Sequence, residues 1–133
     1  MHYIEKIIYS ISKEVNFIQG AQSSNQYIDP ISDVLTREGF YVIPEYEFRM
    51  GNQQKRIDIY AKKRGTIIGI DIDKKTVREN SINKMEYMKR AIPVFILTYE
   101  GYPNIQESVR RIPFRPFYLI DLYNHRYYYY QYF

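Results

Sequence analysis

The chain has 133 residues, 45% hydrophobic and 26% charged, the proportions of a globular protein long enough to bury its own core. Its 19 Lys and Arg against 15 Asp and Glu leave a net charge of +4, which permits nucleic-acid binding without demanding it. The absence of Cys excludes disulfides and thiolate metal sites, and no apolar run reaches the roughly 20 residues of a membrane span, so a cytoplasmic protein, neither secreted nor membrane-bound, is expected.

No linker or repeat interrupts the sequence, which predicts one domain over 1–133. Ile4, Ile7, Ile8, Ile11, Val15 and Ile18 recur at helical spacing, predicting a helix over 1–20 that Gly20 ends and that covers one sheet face. A polar loop over 21–27 precedes a second, short helix, with Asp29 as its cap, Pro30 at its first position, Gly39 as its terminator, and Val34 and Leu35 buried. A strand over 40–48 follows, with Pro44 near an edge or bulge, and 50–53 turn the chain back. Beyond a hairpin described next, a helix over 81–90 buries Ile82, Met85 and Met88, pairs Glu86 with Arg90, and ends by Pro93. The wholly apolar run 94–98 reads as a central buried strand. Asn104 and Glu107 match a capping box for a helix ending near Ile112, and Pro113 and Pro116 mark a bend. Strands over 117–122 and 126–133 then flank Asn124 and His125, and the tyrosine run of the second suits a half-buried edge or dimer strand better than a base-stacking platform. The order predicts an α/β fold with a mixed sheet.

The hairpin over 56–75 carries the chemistry. A period of two sends Ile57, Ile59 and Ala61 to one side and Asp58 and Tyr60 to the other; on the next strand Ile68, Ile70 and Ile72 oppose Asp71, Asp73 and Lys75. If Arg64 and Gly65 form a two-residue turn, Lys63 faces Thr66, Asp58 faces Asp71, and Asp73 is a diagonal neighbour. Like charges opposite one another destabilise a sheet, so clustered acids need solvent or a cation, and carboxylate oxygens with water suit Mg²⁺ or Mn²⁺. The bland alternative is an edge hairpin showing its polar face to water.

The helix, three strands, helix and strand over about 30–98, with acids on the second and third strands, resemble the PD-(D/E)xK nuclease superfamily, which includes Holliday-junction resolvases and restriction enzymes. The resemblance implies a restriction-endonuclease-like α-β-β-β-α-β core, extended by the N-terminal helix and by a C-terminal helix and strands over 101–133. Asp58 matches the family's aspartate, with Ile57 in place of its usual Pro. The third strand aligns as Asp71-Ile72-Asp73, with an acid at the lysine position, or as Asp73-Lys74-Lys75; Asp71 is favoured because it faces Asp58. Asp73 is then a third ligand or an orienting group, Glu47 joins the acidic face, and the catalytic lysine is Lys75 or, drawn from the following helix, Lys84. An acid on the first core helix would be Asp29, Asp33 or Glu38.

The resemblance implies an intracellular, Mg²⁺- or Mn²⁺-dependent DNA endonuclease, junction-resolvase-like, with a homodimer supplying paired cuts and no small-molecule cofactor. The basic residues Lys62, Lys63, Arg64, Lys74, Arg78, Arg110, Arg111 and Arg115 would grip phosphates. The alternatives are a nuclease-fold DNA-binding or assembly protein without catalysis and an unrelated α/β protein. His2 and His125 are too isolated for a zinc site or catalytic pair and are expected at the surface, and Gly65 and Gly69 do not open a helix as a phosphate loop requires.

Overall fold

A computed structural model describes residues 3–132. In chain order the elements are α1 (Tyr3–Glu14), α2 (Asn25–Arg37), β1 (Tyr41–Met50), β2 (Gln53–Lys63), β3 (Thr66–Asp73), α3 (Glu79–Tyr87), β4 (Ala91–Leu97), α4 (Ile105–Arg111), β5 (Phe117–Asp121) and β6 (Arg126–Tyr130). The strands form one sheet in sequence order. β1, β2 and β3 are antiparallel neighbours, β3, β4 and β5 are parallel, and β6 returns antiparallel to β5. Each parallel step needs a long crossover, and α3 and α4 supply them. Among the described residues no helix is long and apolar enough to cross a membrane. His2 and Phe133, the expected end of the last strand, lie outside the described residues.

The isoleucines of α1 and Tyr27, Ile31 and Leu35 of α2 pack on one sheet face against Ile59, Ile70, Val94, Ile96 and Ile120. The opposite face carries Ile82 and Met85 of α3 with Phe95, Leu97, Phe117 and Leu119. β4 and β5 are thus covered on both sides, which is why 94–98 reads as unbroken apolar sequence.

Several boundaries differ from the expectation. α1 ends at Glu14, not near Gly20, although Val15 remains buried on the loop. α2 starts at Asn25, so Asp29 lies exposed inside the helix and caps nothing, and Pro30 is an interior residue. α3 ends at Tyr87, which leaves Arg90 beyond the helix and removes the spacing for the Glu86 to Arg90 pair. Pro93 ends no helix but sits within β4, opposite Gly69 of β3. The ladder to β5 starts only at Val94, so the missing Pro93 N–H faces no partner strand. Asn104 stands at the N-cap of α4 without a side-chain cap bond; its amide donates to Thr76 Oγ1 at 2.8 Å. Glu107 pairs with Arg110 and Arg111, so no capping box forms.

Candidate active site

Arg64 (φ 50°) and Gly65 (φ 84°) both adopt left-handed backbone, the requirement of a two-residue hairpin turn. Lys63 pairs with Thr66 as the sequence predicts, and the ladder of β2 with β3 runs as far as Ile59 with Ile70. There it stops. On the other side of β2, pairs with β1 form at Pro44–Ile59 and Tyr46–Ile57 but not at Glu45, which has φ 51° and would face Asp58. Asp58 therefore occupies a break in both ladders.

The carboxylates close that break. Asp58 N–H donates to Asp71 Oδ1 at 3.0 Å, and Ile72 N–H donates to Asp58 Oδ2 at 2.8 Å. Each acid satisfies a backbone donor that the sheet leaves free, as buried donors require. The break also explains a misplaced residue: Ile57, expected beside Ile59, belongs to the opposite core with Met85, because the alternation does not carry through Asp58.

α3 crosses β3 at close range over Gly69, where a Cβ would meet Met85 Sδ at 3.2 Å and Ala91 Cβ at 3.4 Å. That approach carries Lys84, which precedes Met85, onto the acids. Its ammonium lies 2.8 Å from Asp71 Oδ2 and donates to the Arg56 carbonyl at 2.6 Å. Both side chains of the ion pair are buried, at 8% and 3% exposure. Asp71 Oδ2 is buried with no aligned hydrogen-bond donor, so the lysine charge, not a well-directed bond, is what opposes it. Burial, and then the Asp71 charge, push the Asp58 carboxyl up from 3.8 to about 6, against the pull of the Ile72 N–H and of Lys84.

Asp58, Asp71 and Lys84 line a cleft of about 420 Å³ together with Glu47, Lys55, Arg56, Arg78 and the start of α2 at Ser24 and Asn25. Lys75, the first lysine candidate, is elsewhere: its ammonium stands 4.9 Å from the centre of the Tyr99 ring. Asp73, expected as a third ligand or an orienting group, is engaged by α3. Its Oδ1 takes Arg78 Nε at 2.6 Å, and its Oδ2 takes the Arg78 N–H at 3.1 Å and Ser81 Oγ at 2.9 Å, so it anchors the first turn of α3. Glu47 borders the cleft from β1 but is exposed. Among the described residues no three or more His, Cys, Asp or Glu are grouped to hold a metal; of the four expected acids, Asp58 and Asp71 are the two joined by hydrogen bonds through the hairpin. The acids considered for the first core helix, Asp29, Asp33 and Glu38, do not line the cleft.

The basic residues divide. Arg78 lines the cleft, while Lys62, Lys63, Arg64, Arg110, Arg111 and Arg115 do not. Lys63 donates to the Glu38 carbonyl, and Arg115 donates to the Ile112 and Phe114 carbonyls over the Phe117 ring, so both serve the fold. Lys74 lines a neighbouring cleft that also contains Arg78. Lys55 and Arg56 are the cationic residues that sequence reasoning missed; as neighbours in sequence they fall on opposite faces of a regular strand, so alternation could not have found both. His125 is half-buried, its Nδ1 2.8 Å from the Ser12 carbonyl, away from the acids.

By donor chemistry the pair is of the kind that a hard divalent cation takes. It offers carboxylate oxygens to an ion that keeps much of its water and takes one or two carboxylates, and such a charge would oppose both the burial and the Asp71 charge that raise the Asp58 pKa.

No protein-family model matches the chain, and no curated protein matches it. Among solved structures it is similar to a "Protein of Unknown Function AF1548", with 12% identity and a TM-score of 0.46 over 65% of this chain and 50% of that one. The chain thus spans about half the length of that protein. So slight a likeness carries nothing further.

Proposed function

We infer that this chain is a divalent-metal-dependent DNA endonuclease whose α2 to β4 segment is a PD-(D/E)xK-type core. The supporting observation is Lys84 Nζ at 2.8 Å from Asp71 Oδ2, beside Asp58 in one cleft. Two acids from adjacent strands and a lysine from the following helix are the components that the PD-(D/E)xK resemblance implies for metal-dependent phosphodiester hydrolysis. Asp58 and Asp71 would hold Mg²⁺ or Mn²⁺, which supplies neutralisation of phosphate charge and a water of lowered pKa. Lys84, held by the Arg56 carbonyl, presents its ammonium to the charge that develops on phosphate. Lys55 and Arg78 contact flanking phosphates without reading sequence. Asp58 as carboxylate is the form that binds the cation, so activity falls as Asp58 is protonated, at a pH that bound Mg²⁺ lowers from the metal-free value of about 6. Paired cuts would come from two copies, with the edge strand β6 and its exposed Tyr129 as a self-complementary surface.

The experiment is cleavage of linear and branched DNA with Mg²⁺ or Mn²⁺. Wild type cuts; Asp58→Asn and Asp71→Asn do not, while both retain the wild-type circular dichroism spectrum. Metal-independent cutting that survives in both variants refutes the proposal.

One observation favours a second reading. Lys84 is already engaged by Asp71 and the Arg56 carbonyl, as a purely structural lysine would be. A nuclease-fold DNA-binding protein without catalysis would bind DNA with a steep salt dependence and cut none of the substrates.

A further inference from the structure

A second cleft, of about 740 Å³, adjoins the candidate site: Ser24 and Arg78 line both. The two differ in chemistry. The site cleft is lined by four basic side chains against three acids. In the second, Lys74 and Arg78 face Asp73 and Glu100, a balance that gives no preference for a phosphate. Its walls include the rings of Phe17, Tyr27 and Tyr99, interleaved with the amides and hydroxyls of the 19–24 segment.

Tyr27 is spoken for, since it is buried and its hydroxyl accepts the Ile18 N–H at 2.9 Å. Phe17 and Tyr99 are half-buried. Tyr99 stands on the loop after β4 with Lys75 4.9 Å from its ring centre, and Phe17 is braced edge-on by Tyr123 at 5.1 Å. A volume of this size, apolar rings and scattered neutral hydrogen-bonding groups fit one planar polar ligand. A nucleobase is such a ligand, because every base has a face that stacks on an aromatic ring whatever its sequence. A base stacked in a duplex cannot enter; an unpaired one can.

Resting on the nuclease reading of the adjoining site, we propose that this cleft holds an unpaired nucleotide of the DNA strand whose neighbouring phosphodiester lies at Asp58 and Asp71. Arg78 stands where the backbone passes from one cleft to the other, its Nε fixed by Asp73 and its side chain 68% exposed. The substrate class is accordingly duplex DNA with an unpaired nucleotide at a gap, flap or branch, not uninterrupted duplex.

The test measures binding by fluorescence anisotropy with Ca²⁺ in place of Mg²⁺, using one blunt duplex and the same duplex with a one-nucleotide bulge or a short flap. Wild type should bind the interrupted duplexes about tenfold tighter than the blunt one, the scale of one base–aromatic stack. Tyr99→Ala should remove that preference and leave blunt-duplex affinity unchanged. Ser23→Trp, at an exposed position on the cleft wall, should do the same by filling the cleft, so the test stands even if Tyr99→Ala fails to fold. Equal affinity of wild type for blunt and interrupted duplexes overturns the proposal, as does a preference that survives in Ser23→Trp. A free deoxynucleoside monophosphate that competes as well as the bulged duplex also overturns it, by making the ligand a small molecule. Preference for interrupted duplex without cleavage leaves this cleft standing and removes the nuclease reading; equal cleavage of blunt and bulged duplexes does the reverse.

Discussion

Asp58 and Asp71 are bound through the main chain of the hairpin as well as by proximity: the Asp58 N–H reaches Asp71 Oδ1, while the Asp58 carboxylate takes the N–H of Ile72, the residue after Asp71. Neither acid can leave without freeing a backbone donor of its partner's strand. Asparagine keeps an acceptor oxygen at either position and is the replacement that isolates charge from architecture; alanine confounds the two.

Removal of the Lys84 charge should be costly to stability. Lys84→Met leaves Asp71 buried beside an uncompensated Asp58, and breaking a buried pair from one side typically costs about 3–5 kcal/mol. The double variant Lys84→Met/Asp71→Asn should recover most of that loss. Urea unfolding measures both, and a Lys84→Met loss below about 1 kcal/mol would show that the pair does not hold α3 to β3.

The same lysine separates two catalytic assignments. Lys84→Met should lower the cleavage rate by about 10² to 10³; the double variant, which also lacks the Asp71 carboxylate, should not cut although its stability returns. Lys75→Ala, at the Tyr99 ring, should leave the chemical step within about twofold of wild type. Single-turnover rates at saturating DNA decide this, and a defect confined to Lys75→Ala would reverse the assignment.

Asp58 gives a pH signature with a defined sign. Its folded pKa, about 6, lies above the unfolded value of 3.8, so between those values the folded state binds the extra proton. The Asp58 contribution to stability is fully present below about 3.8 and is lost as pH rises through about 6. Asp58→Asn should therefore be more stable than wild type at pH 7.5 and lose that advantage toward pH 4, in metal-free buffer. Addition of Mg²⁺ should move the Asp58 carboxyl titration, followed by NMR, downward. A titration near pH 4 without metal contradicts the proximity of the two acids.

Asp73 should prove structural. Asp73→Ala takes the acceptor from the buried Ser81 hydroxyl and from both Arg78 donors, at a cost of about 1–3 kcal/mol. Amides of the first turn of α3 should lose hydrogen-exchange protection, while Mg²⁺ affinity at Asp58 and Asp71 changes little. A loss of Mg²⁺ affinity comparable to that of Asp71→Asn would return Asp73 to the ligand set.

The hairpin was legible because its turn chemistry and its alternation are local. Arg64 and Gly65 set the register, and the register alone predicted Asp58 facing Asp71. The order of strands and helices was legible for a similar reason, since β4 announces burial on both faces by its composition. What failed depends on distant contacts. Lys84 could be named only through the resemblance and only after Lys75, because the approach of α3 over Gly69 that buries it is a distant contact. Ile57 follows the alternation in sequence, but Glu45 on the neighbouring strand breaks the geometry that alternation assumes. Asp29 and Pro30 carry start signals that the earlier turn at 24–27 overrides.

The unpaired stretch of β2 has a mechanical meaning. From Gln53 to Ile57 that strand is laced to β1 but has no ladder with β3, so the outer half of the hairpin is an arm tethered at its root by two carboxylates and a lysine-held carbonyl. Main-chain ladders have one strength at every pH; a tether of ionisable groups does not. The hold on this arm therefore varies with the charge on Asp58, and a cation in the cleft would act as well on the arm that bears Glu47, Lys55 and Arg56.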